Sequence, residues 1–375
     1  MEKASQGLIY LSPLPWTSFE QRPHKFARWF HLRTGGKVLW IDPYPTRLPK
    51  LSDFKRLRFS SNGNLKNDMP AWLEVIRPAS LPIEPLGGSE KINKMIWRKT
   101  LIKAFSFAHD FNAIVAIGKP SALANQVLDG LPEALSIYDA MDDFPAFYAG
   151  ISKKAMLSML NWETQIVDRV STLVVSSTIL LNRWSAIRAD TKLIYNGLDV
   201  SALPNAELGF VKSGSPIRFG YVGTISAWFD WSWLIKLAEI RPNDEIVVIG
   251  PQLVTCPYEL PDNIYFKPAC EHQEALMHMK SFDVGLIPFL RNQLTSSVDP
   301  IKYYEYRALG VSVLSTAFGE MLFRFNEPGT FVSKSNDDLD ELASQAVCWS
   351  FTKSEADEFA IKNSWNSRFD QIKLY

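Results

Sequence analysis

DVGLIPFLRNQLTSSVDPIKYYEYRALGVSVLS, residues 283–315, combines a strand, a loop, a helix and a second strand in one stretch. The apolar run DVGLI predicts the first strand. Asp299 followed by Pro300 is typical of a helix start, because aspartate favours the N-cap and proline the first helical position. Gly310 is typical of the residue just beyond a helix end, and the run VSVLS after it predicts the second strand. Two strands joined through a helix in this way predict a parallel βαβ unit.

The same alternation of short apolar runs and longer helical patterns continues on both sides of this stretch. Continuous apolar runs are typical of parallel strands that are buried on both faces. The predicted strands of a first series are Leu8–Leu11, Lys37–Ile41, Ala113–Ile117, Leu135–Tyr138, Thr172–Ser176 and Lys192–Tyr195. Those of a second series are Ile217–Val222, Glu245–Ile249, Asn263–Phe266, Asp283–Ile287, Ser312–Ser315 and Thr330–Val332. The sequence therefore predicts an α/β fold with two doubly wound, Rossmann-like units.

The stretch Ser201–Pro216 separates the two series and is rich in Ser, Pro and Gly, as expected of a linker. We expect an N-terminal domain over residues 1–205 and a second domain over residues 206–350. Residues 351–375, which include Trp365, are expected to form a helix that crosses back to the first domain. Ligands of such folds bind at the carboxyl ends of the strands, so the predicted site is a cleft between the domains.

The composition of the 375-residue chain, 46% hydrophobic and 21% charged, excludes a disordered or collagen-like protein. No run of about 20 apolar residues is present that would span a bilayer. The first residues lack the basic and apolar regions of a signal peptide, and Cys256, Cys270 and Cys348 do not have the spacing of metal ligands. We expect a cytoplasmic protein with reduced thiols.

The net charge of zero is unevenly distributed along the chain. Residues 1–110 contain 18 Lys and Arg against 9 Asp and Glu, so the remainder contains 22 against 31. A basic first part favours an anionic partner, which by charge alone is nucleic acid, lipid headgroups or a phosphorylated substrate. Residues 91–105, KINKMIWRKTLIKAF, predict a basic amphipathic helix suited to an anionic membrane surface. The alternative is a core-packed helix with a solvated basic face.

Lys302 and Glu305 are the candidate ligand-binding residues of the second series. Both fall on one face near the start of the helix that follows Pro300, where a cation opposes the helix dipole unless an anion binds there. The pair suits a nucleoside diphosphate, with the lysine on the phosphates and the carboxylate on the ribose hydroxyls. Gly223 and Thr224, directly after the first strand of this series, are expected to bring backbone close to the ligand. A solvated ion pair and an ordinary strand-to-helix turn are the alternatives.

Three carboxylates follow the predicted strand Leu135–Tyr138 of the first series: Asp139, Asp142 and Asp143. Carboxylates at a strand end repel one another, which raises a pKa and suits a general base. Chelation of Mg²⁺ and helix capping are the alternatives. His24, at the loop-to-helix turn after the first strand, is a second candidate for orienting or deprotonating a substrate, and capping is again the alternative.

The motifs IYDAMDDF (137–144), IYNGLDV (194–200), GYVGTISAWFDW (220–231) and DPIKYYEYRALG (299–310) together resemble glycosyltransferases of the GT-B fold. The resemblance is to the group of family four and the teichuronic-acid transferases, with a further likeness of the first motif to the xanthan glucuronosyltransferase. It implies that Lys302 binds the diphosphate and Glu305 the ribose. It also implies that Asn196 and Tyr303 belong to the nucleotide site, and that Asp142 is the catalytic base.

Two positions depart from the family pattern. Ser297 stands where many family-four enzymes have a second glutamate, and GTISAWFD lacks the usual pair of basic residues. Both departures weaken a transfer of the family's retaining stereochemistry. A base at Asp142 instead favours inversion, because direct displacement requires a proton acceptor for the attacking hydroxyl.

The predicted function is a metal-independent hexosyltransferase, without a cofactor, that moves a sugar from a UDP-sugar to a glycan or lipid-linked acceptor. The expected setting is bacterial surface polysaccharide synthesis, at the inner face of the cell membrane, with no nucleic-acid partner. The alternatives are a GT-B-like epimerase of sugar nucleotides and a non-catalytic, nucleotide-binding assembly subunit.

Overall fold

The computed structural model describes residues 6–44, 69–81, 89–148, 152–204 and 216–374. The chain forms two compact units. The first contains residues 1–176 and 180–194, and the second contains residues 177–179 and 195–375. The boundary therefore falls at Ile194, earlier than the predicted position at residue 205, and most of the predicted linker Ser201–Pro216 lies outside the described residues.

The first unit contains a parallel sheet in the order β3-β2-β1-β4-β5-β6-β7. Its strands are β1 (Leu8–Leu11), β2 (Val38–Ile41), β3 (Leu73–Ile76), β4 (Ile114–Ile117), β5 (Ser136–Ala140), β6 (Thr172–Val175) and β7 (Lys192–Leu193). All six strands predicted for this series are present. β3 was not predicted, because its outward positions include a glutamate and only Leu73 is fully buried.

Helices connect these strands, as a parallel sheet requires. They are α1 (Arg22–Thr34), α2 (Ser89–Ile96), α3 (Arg98–Phe111), α4 (Ala122–Gly130), α5 (Lys153–Arg169) and α6 (Thr178–Ser185), with a 3-10 helix at Phe144–Tyr148. The single helix predicted over residues 91–105 is divided between α2 and α3. The division lies at Trp97, whose fully buried ring packs 4.8 Å from that of Tyr44.

The second unit contains a parallel sheet in the order β10-β9-β8-β11-β12-β13. Its strands are β8 (Arg218–Val222), β9 (Glu245–Ile249), β10 (Ile264–Lys267), β11 (Val284–Ile287), β12 (Ser312–Thr316) and β13 (Thr330–Ser333). Its helices are α7 (Trp231–Ile240), α8 (His272–Lys280), α9 (Ile301–Ala308), α10 (Leu339–Cys348), α11 (Lys353–Lys362) and α12 (Trp365–Asp370). The strand order reverses between β8 and β11, which is where ligands bind in doubly wound folds.

The C-terminal helices α11 and α12 belong to the second unit. The Trp365 N–H donates a hydrogen bond to the Leu198 carbonyl at 3.1 Å, and the Phe359 ring lies 6.3 Å from that of Tyr304. Both contacts lie within the second unit, whose residues 195–205 had been predicted to belong to the first domain.

Each unit has its own apolar core, made by strands buried on both faces and by the inner faces of the helices. Asp230 caps α7 by accepting a hydrogen bond from the Trp233 N–H at 3.1 Å. Phe229, Trp231 and Trp233 are buried in the second core, so these aromatic side chains serve packing. Within the described residues, no helix is long and apolar enough to cross a membrane.

Candidate functional site

The turn after β8 brings two glycines into close contact. Gly223 has a φ of 152° and Gly250, just after β9, has a φ of 140°, a region that favours glycine. A Cβ on Gly250 would lie 2.2 Å from the Gly223 carbonyl oxygen. The Tyr221 hydroxyl donates a hydrogen bond to the Thr224 carbonyl at 3.0 Å and fixes the turn. Gly250 was not singled out from the sequence, although a glycine directly after a predicted strand is the signal that marks it.

Lys302 lies against this glycine turn from the first turn of α9. A Cβ on Gly223 would be 2.7 Å from the Lys302 Nζ, and the ammonium lies 5.5 Å from the centre of the Tyr221 ring. Burial lowers the pKa of the Lys302 ammonium, and the nearby Glu305 carboxylate opposes that shift. Within the described part of the chain Lys302 forms no ion pair. A half-buried cation beside the free N–H groups of a helix N-terminus favours a bound anion.

Glu305 lies one turn further along α9 and is held by a residue that the sequence did not reveal. Its Oε1 lies 3.0 Å from Nε2 of His272, the first residue of α8. The two helices bring these side chains together although they are distant in sequence. The structure thus places Gly223, Thr224, Lys302 and Glu305 at the carboxyl ends of β8 and β11, as expected of a nucleotide site.

Asn196 and Asp299 form a structural link rather than a ligand contact. The Asn196 N–H donates to Asp299 Oδ2 at 2.7 Å, and its Nδ2 donates to the Asp299 carbonyl at 2.7 Å. Asp299 also accepts from Arg324 at 2.6 Å, and Pro300 occupies the N-cap position that was predicted for Asp299. Asn196 therefore fixes the start of α9, which supports Lys302 indirectly.

Tyr303 is a core residue, contrary to its predicted place in the nucleotide site. Its side chain is buried, and the Arg324 guanidinium lies 4.0 Å from the centre of its ring. Its hydroxyl accepts a hydrogen bond from Arg307 at 3.3 Å. Adjacent helix positions point about 100° apart, so Tyr303 turns inward where Lys302 faces the glycine turn.

Of the three candidate carboxylates Asp139, Asp142 and Asp143, two are paired with arginines. Asp139, which lies inside β5 rather than after it, accepts hydrogen bonds from Arg22 at 2.8–3.0 Å. Asp143 accepts from both terminal nitrogens of Arg183. The Arg22 guanidinium is therefore committed to Asp139.

Asp142 is the carboxylate that remains available. Within the described residues no donor binds its side chain, which is partly exposed to solvent. Burial raises its pKa from 3.8 to about 7, with Asp139 and Asp143 adding to the rise and Arg22 opposing it. A carboxyl group with this pKa, two residues beyond β5, has the properties of a general base.

His24 is occupied by backbone contacts at the start of α1. Its Nδ1 accepts a hydrogen bond from the Gln21 N–H at 3.2 Å, so its Nε2 donates to the Trp16 carbonyl, also at 3.2 Å. The ring is buried 4.9 Å from that of Trp40, and burial lowers the pKa of the imidazole. His24 therefore caps the start of α1, which was the alternative interpretation, and neither ring nitrogen is left for a substrate.

No protein-family model matches the chain. The chain is similar to TuaH of Bacillus subtilis, whose name describes a teichuronic acid biosynthesis glycosyltransferase: the two are 23% identical over 265 residues. That match covers 64% of this chain and 66% of the relative, just under two thirds of its length. The predicted likeness to the teichuronic-acid transferases is confirmed.

Solved structures show the same fold along nearly the whole chain. The sucrose-phosphate synthase of Thermosynechococcus elongatus is 14% identical with a TM-score of 0.64, and the match covers 98% of this chain and 94% of that one. Anabaena HepE, determined in complex with UDP-glucose, is 14% identical with a TM-score of 0.61 and coverage of 98% of both chains. The galactosyltransferase WaaB is 11% identical with a TM-score of 0.60, covering 98% and 99%. These similarities confirm the predicted GT-B fold.

Proposed function

We propose that the chain is a glycosyltransferase that moves a hexosyl group from a UDP-sugar to a hydroxyl of a glycan or lipid-linked acceptor. The observation that carries the proposal is Lys302, a half-buried cation without an ion-pair partner in the described residues, lying against the Gly223 turn at a helix N-terminus. The name of TuaH and the UDP-glucose bound to HepE support the same class of reaction and donor.

The second unit supplies the donor chemistry in this proposal. Negative charge develops on the diphosphate as the bond to the sugar breaks, and the Lys302 ammonium and the free N–H groups at the start of α9 would stabilise it. The Glu305 carboxylate would accept hydrogen bonds from the ribose hydroxyls. Gly223 would allow the backbone to approach the phosphates without a side chain between them.

The first unit supplies the base. The acceptor hydroxyl must lose its proton as it attacks the sugar, and the ionised Asp142 carboxylate would take that proton. A base on the attacking group suits direct displacement with inversion. An epimerase of sugar nucleotides, the competing function, would change the donor in the absence of any acceptor.

The proposed reaction needs no metal ion. Lys302 and the helix terminus balance the charge of the diphosphate, while Asp139 and Asp143 are already bound by arginines. We therefore expect sugar transfer to persist in excess EDTA. Loss of transfer in EDTA, with recovery on addition of Mg²⁺ or Mn²⁺, would contradict this part of the proposal.

We also propose that the chain acts at the inner face of the cell membrane in surface polysaccharide synthesis. The membrane-binding patch would be the exposed apolar and basic side chains of α2 and α3. Its apolar members are Ile92, Met95, Ile96 and Ile102, and its basic members are Lys94, Arg98 and Lys99. This pairing of apolar and basic side chains is typical of helices that lie on anionic lipid.

Nucleotide binding by two variants tests the donor site. We expect Lys302→Ala and Glu305→Ala each to weaken UDP binding by about 1.5–3 kcal/mol, roughly 10- to 150-fold, because each removes a charge-assisted contact. Isothermal titration with UDP measures the effect. Lys236→Ala is the matched control, because Lys236 is a surface lysine on α7 whose carboxylate partner is Glu239. Unchanged affinity in both site variants would place the nucleotide elsewhere.

A further inference from the structure

Lys302 and Glu305 have opposite charges three residues apart on α9, a spacing at which such side chains normally pair. The structure shows no ion pair between them. The Glu305 carboxylate is instead directed to α8, where His272 Nε2 lies 3.0 Å from its Oε1. The Lys302 ammonium remains against the Gly223 turn.

We propose that His272 is a positioning residue that keeps Glu305 away from Lys302, so that the site presents to a ribonucleoside diphosphate a cation and a carboxylate that are not paired with each other. This inference rests on the proposed donor site. The imidazole Nε2–H donates to Oε1, and the remaining lone pairs of the carboxylate have no partner among the described residues. Those lone pairs accept hydrogen bonds from ribose hydroxyls.

The effect follows from competition between two partners for one carboxylate. The Glu305 side chain is only 13% exposed, so it gains little from water and binds whichever donor is in reach. Without His272 the nearest cation on its own helix face is Lys302, and the two side chains would form the ordinary i,i+3 pair. A ligand would then have to break that pair before either side chain bound it.

The positions of Glu305 and Lys302 also define the chemical class of the ligand. A carboxylate held in place by His272 binds a ribonucleotide more tightly than a deoxynucleotide, because the ribose has more hydroxyl groups that donate hydrogen bonds to it. The Lys302 ammonium, which is not paired with Glu305, binds the diphosphate. Both ends of the ligand therefore depend on His272, although we expect the imidazole to act only through Glu305.

The test measures the affinities for UDP and for inorganic pyrophosphate separately, by isothermal titration. We expect His272→Ala to weaken the binding of UDP about tenfold and the binding of pyrophosphate severalfold. Pyrophosphate has no sugar for Glu305 to bind, so its loss of affinity would come from the pairing of Lys302 with Glu305. We expect His272→Gln to keep most of the affinity for both, because the amide N–H replaces the imidazole N–H. In His272→Ala/Glu305→Gln, the neutral side chain no longer pairs with Lys302, so pyrophosphate affinity should recover while UDP affinity stays low.

His278→Ala is the matched control, because His278 lies on the same helix and pairs with Glu274 instead. Melting temperatures of all variants identify any that fail to fold. If His272→Ala fails to fold, the inference is tested with His272→Gln. Wild-type affinities in His272→Ala, or a double variant that stays as weak for pyrophosphate as the single one, would overturn the inference. Unchanged UDP binding in Lys302→Ala would instead overturn the donor site itself, and with it this role for His272.

Discussion

At the scale of single residues, the aspartate cluster of the first unit shows how neighbouring carboxylates acquire different properties. Arg22 forms an ion pair with Asp139, and Arg183 forms an ion pair with Asp143. Asp142 lies between them in sequence and has no such partner among the described residues. Its pKa of about 7 therefore follows from burial beside two negative charges.

We expect Asp142→Asn to lower turnover about 10²- to 10⁴-fold, because a positioned base contributes about that much, while the Kd for UDP stays nearly constant. In the wild-type protein the base works only when ionised. The rate kcat/KM should therefore rise with pH and level off above about pH 7. A transfer assay across pH, with titration of UDP, measures both. Near-normal turnover in Asp142→Asn would remove this residue from the mechanism.

Thermal stability separates this role from a structural one. The pKa of Asp142 is raised by folding, so its stabilising contribution is present at low pH and is lost as pH rises from 3.8 to about 7. Three pKa units correspond to about 4 kcal/mol, and hydration of the partly exposed side chain reduces this value, so at pH 8 the Asn variant should be more stable than the wild type by about 1–3 kcal/mol. Asp143→Asn is the control, because it leaves Arg183 unpaired and should destabilise the protein.

The predicted residues that the structure brings together are those marked by local signals in the sequence. The helix-start pattern at Pro300 marked Lys302, the position after β8 marked Gly223, and the structure brings these two residues together. His24 and Tyr303 were assigned to ligands, but His24 binds backbone near the start of α1 and Tyr303 is buried in the core. Asn196 was also assigned to a ligand, but its partner is Asp299, which lies far away in the sequence. His272 went unnoticed for the same reason, since nothing near residue 272 indicates a contact with Glu305.

At the scale of secondary-structure elements, the apolar runs predicted every strand of both sheets except β3. The termini differ by one or two residues, because the ends of strands depend on neighbours in the sheet. The division between α2 and α3 was not predictable either. It depends on the burial of Trp97 against Tyr44, which lies far away in the sequence.

The α2–α3 patch leads to a prediction about membranes. We expect the folded protein to bind vesicles of phosphatidylglycerol and phosphatidylethanolamine at low salt, and less as salt screens the charges. Lys94→Glu/Arg98→Glu/Lys99→Glu should weaken binding at least about 100-fold, since each basic residue near such a surface contributes about 1 kcal/mol. UDP affinity should stay unchanged. Vesicle sedimentation measures the binding.

Three exposed lysines of the second unit give a control with the same change in charge: Lys267, Lys362 and Lys373. Their replacement by glutamate should leave most of the vesicle binding intact if the patch is the binding surface. Equal losses in the two triple variants would show that net charge alone attracts the protein to lipid. A wild-type protein that ignores anionic vesicles at low salt would contradict the membrane proposal.

At the scale of the whole molecule, each unit has its own sheet and its own apolar core, while the proposed UDP-binding residues all lie in the second unit. A ligand stabilises the part of the protein that binds it. At a UDP concentration 100 times its Kd, the second unit should gain about 2.7 kcal/mol in free energy of unfolding.

Hydrogen exchange measured peptide by peptide tests this distribution. We expect UDP to slow exchange in β11 up to about 100-fold, because this buried strand exchanges only when the second unit opens. We expect a much smaller change in β4, the buried strand of the first unit. Lys302→Ala should abolish the effect at the same UDP concentration. Equal protection of β4 and β11 would show that the two cores unfold as one cooperative block, and protection confined to β4 would place the nucleotide in the first unit.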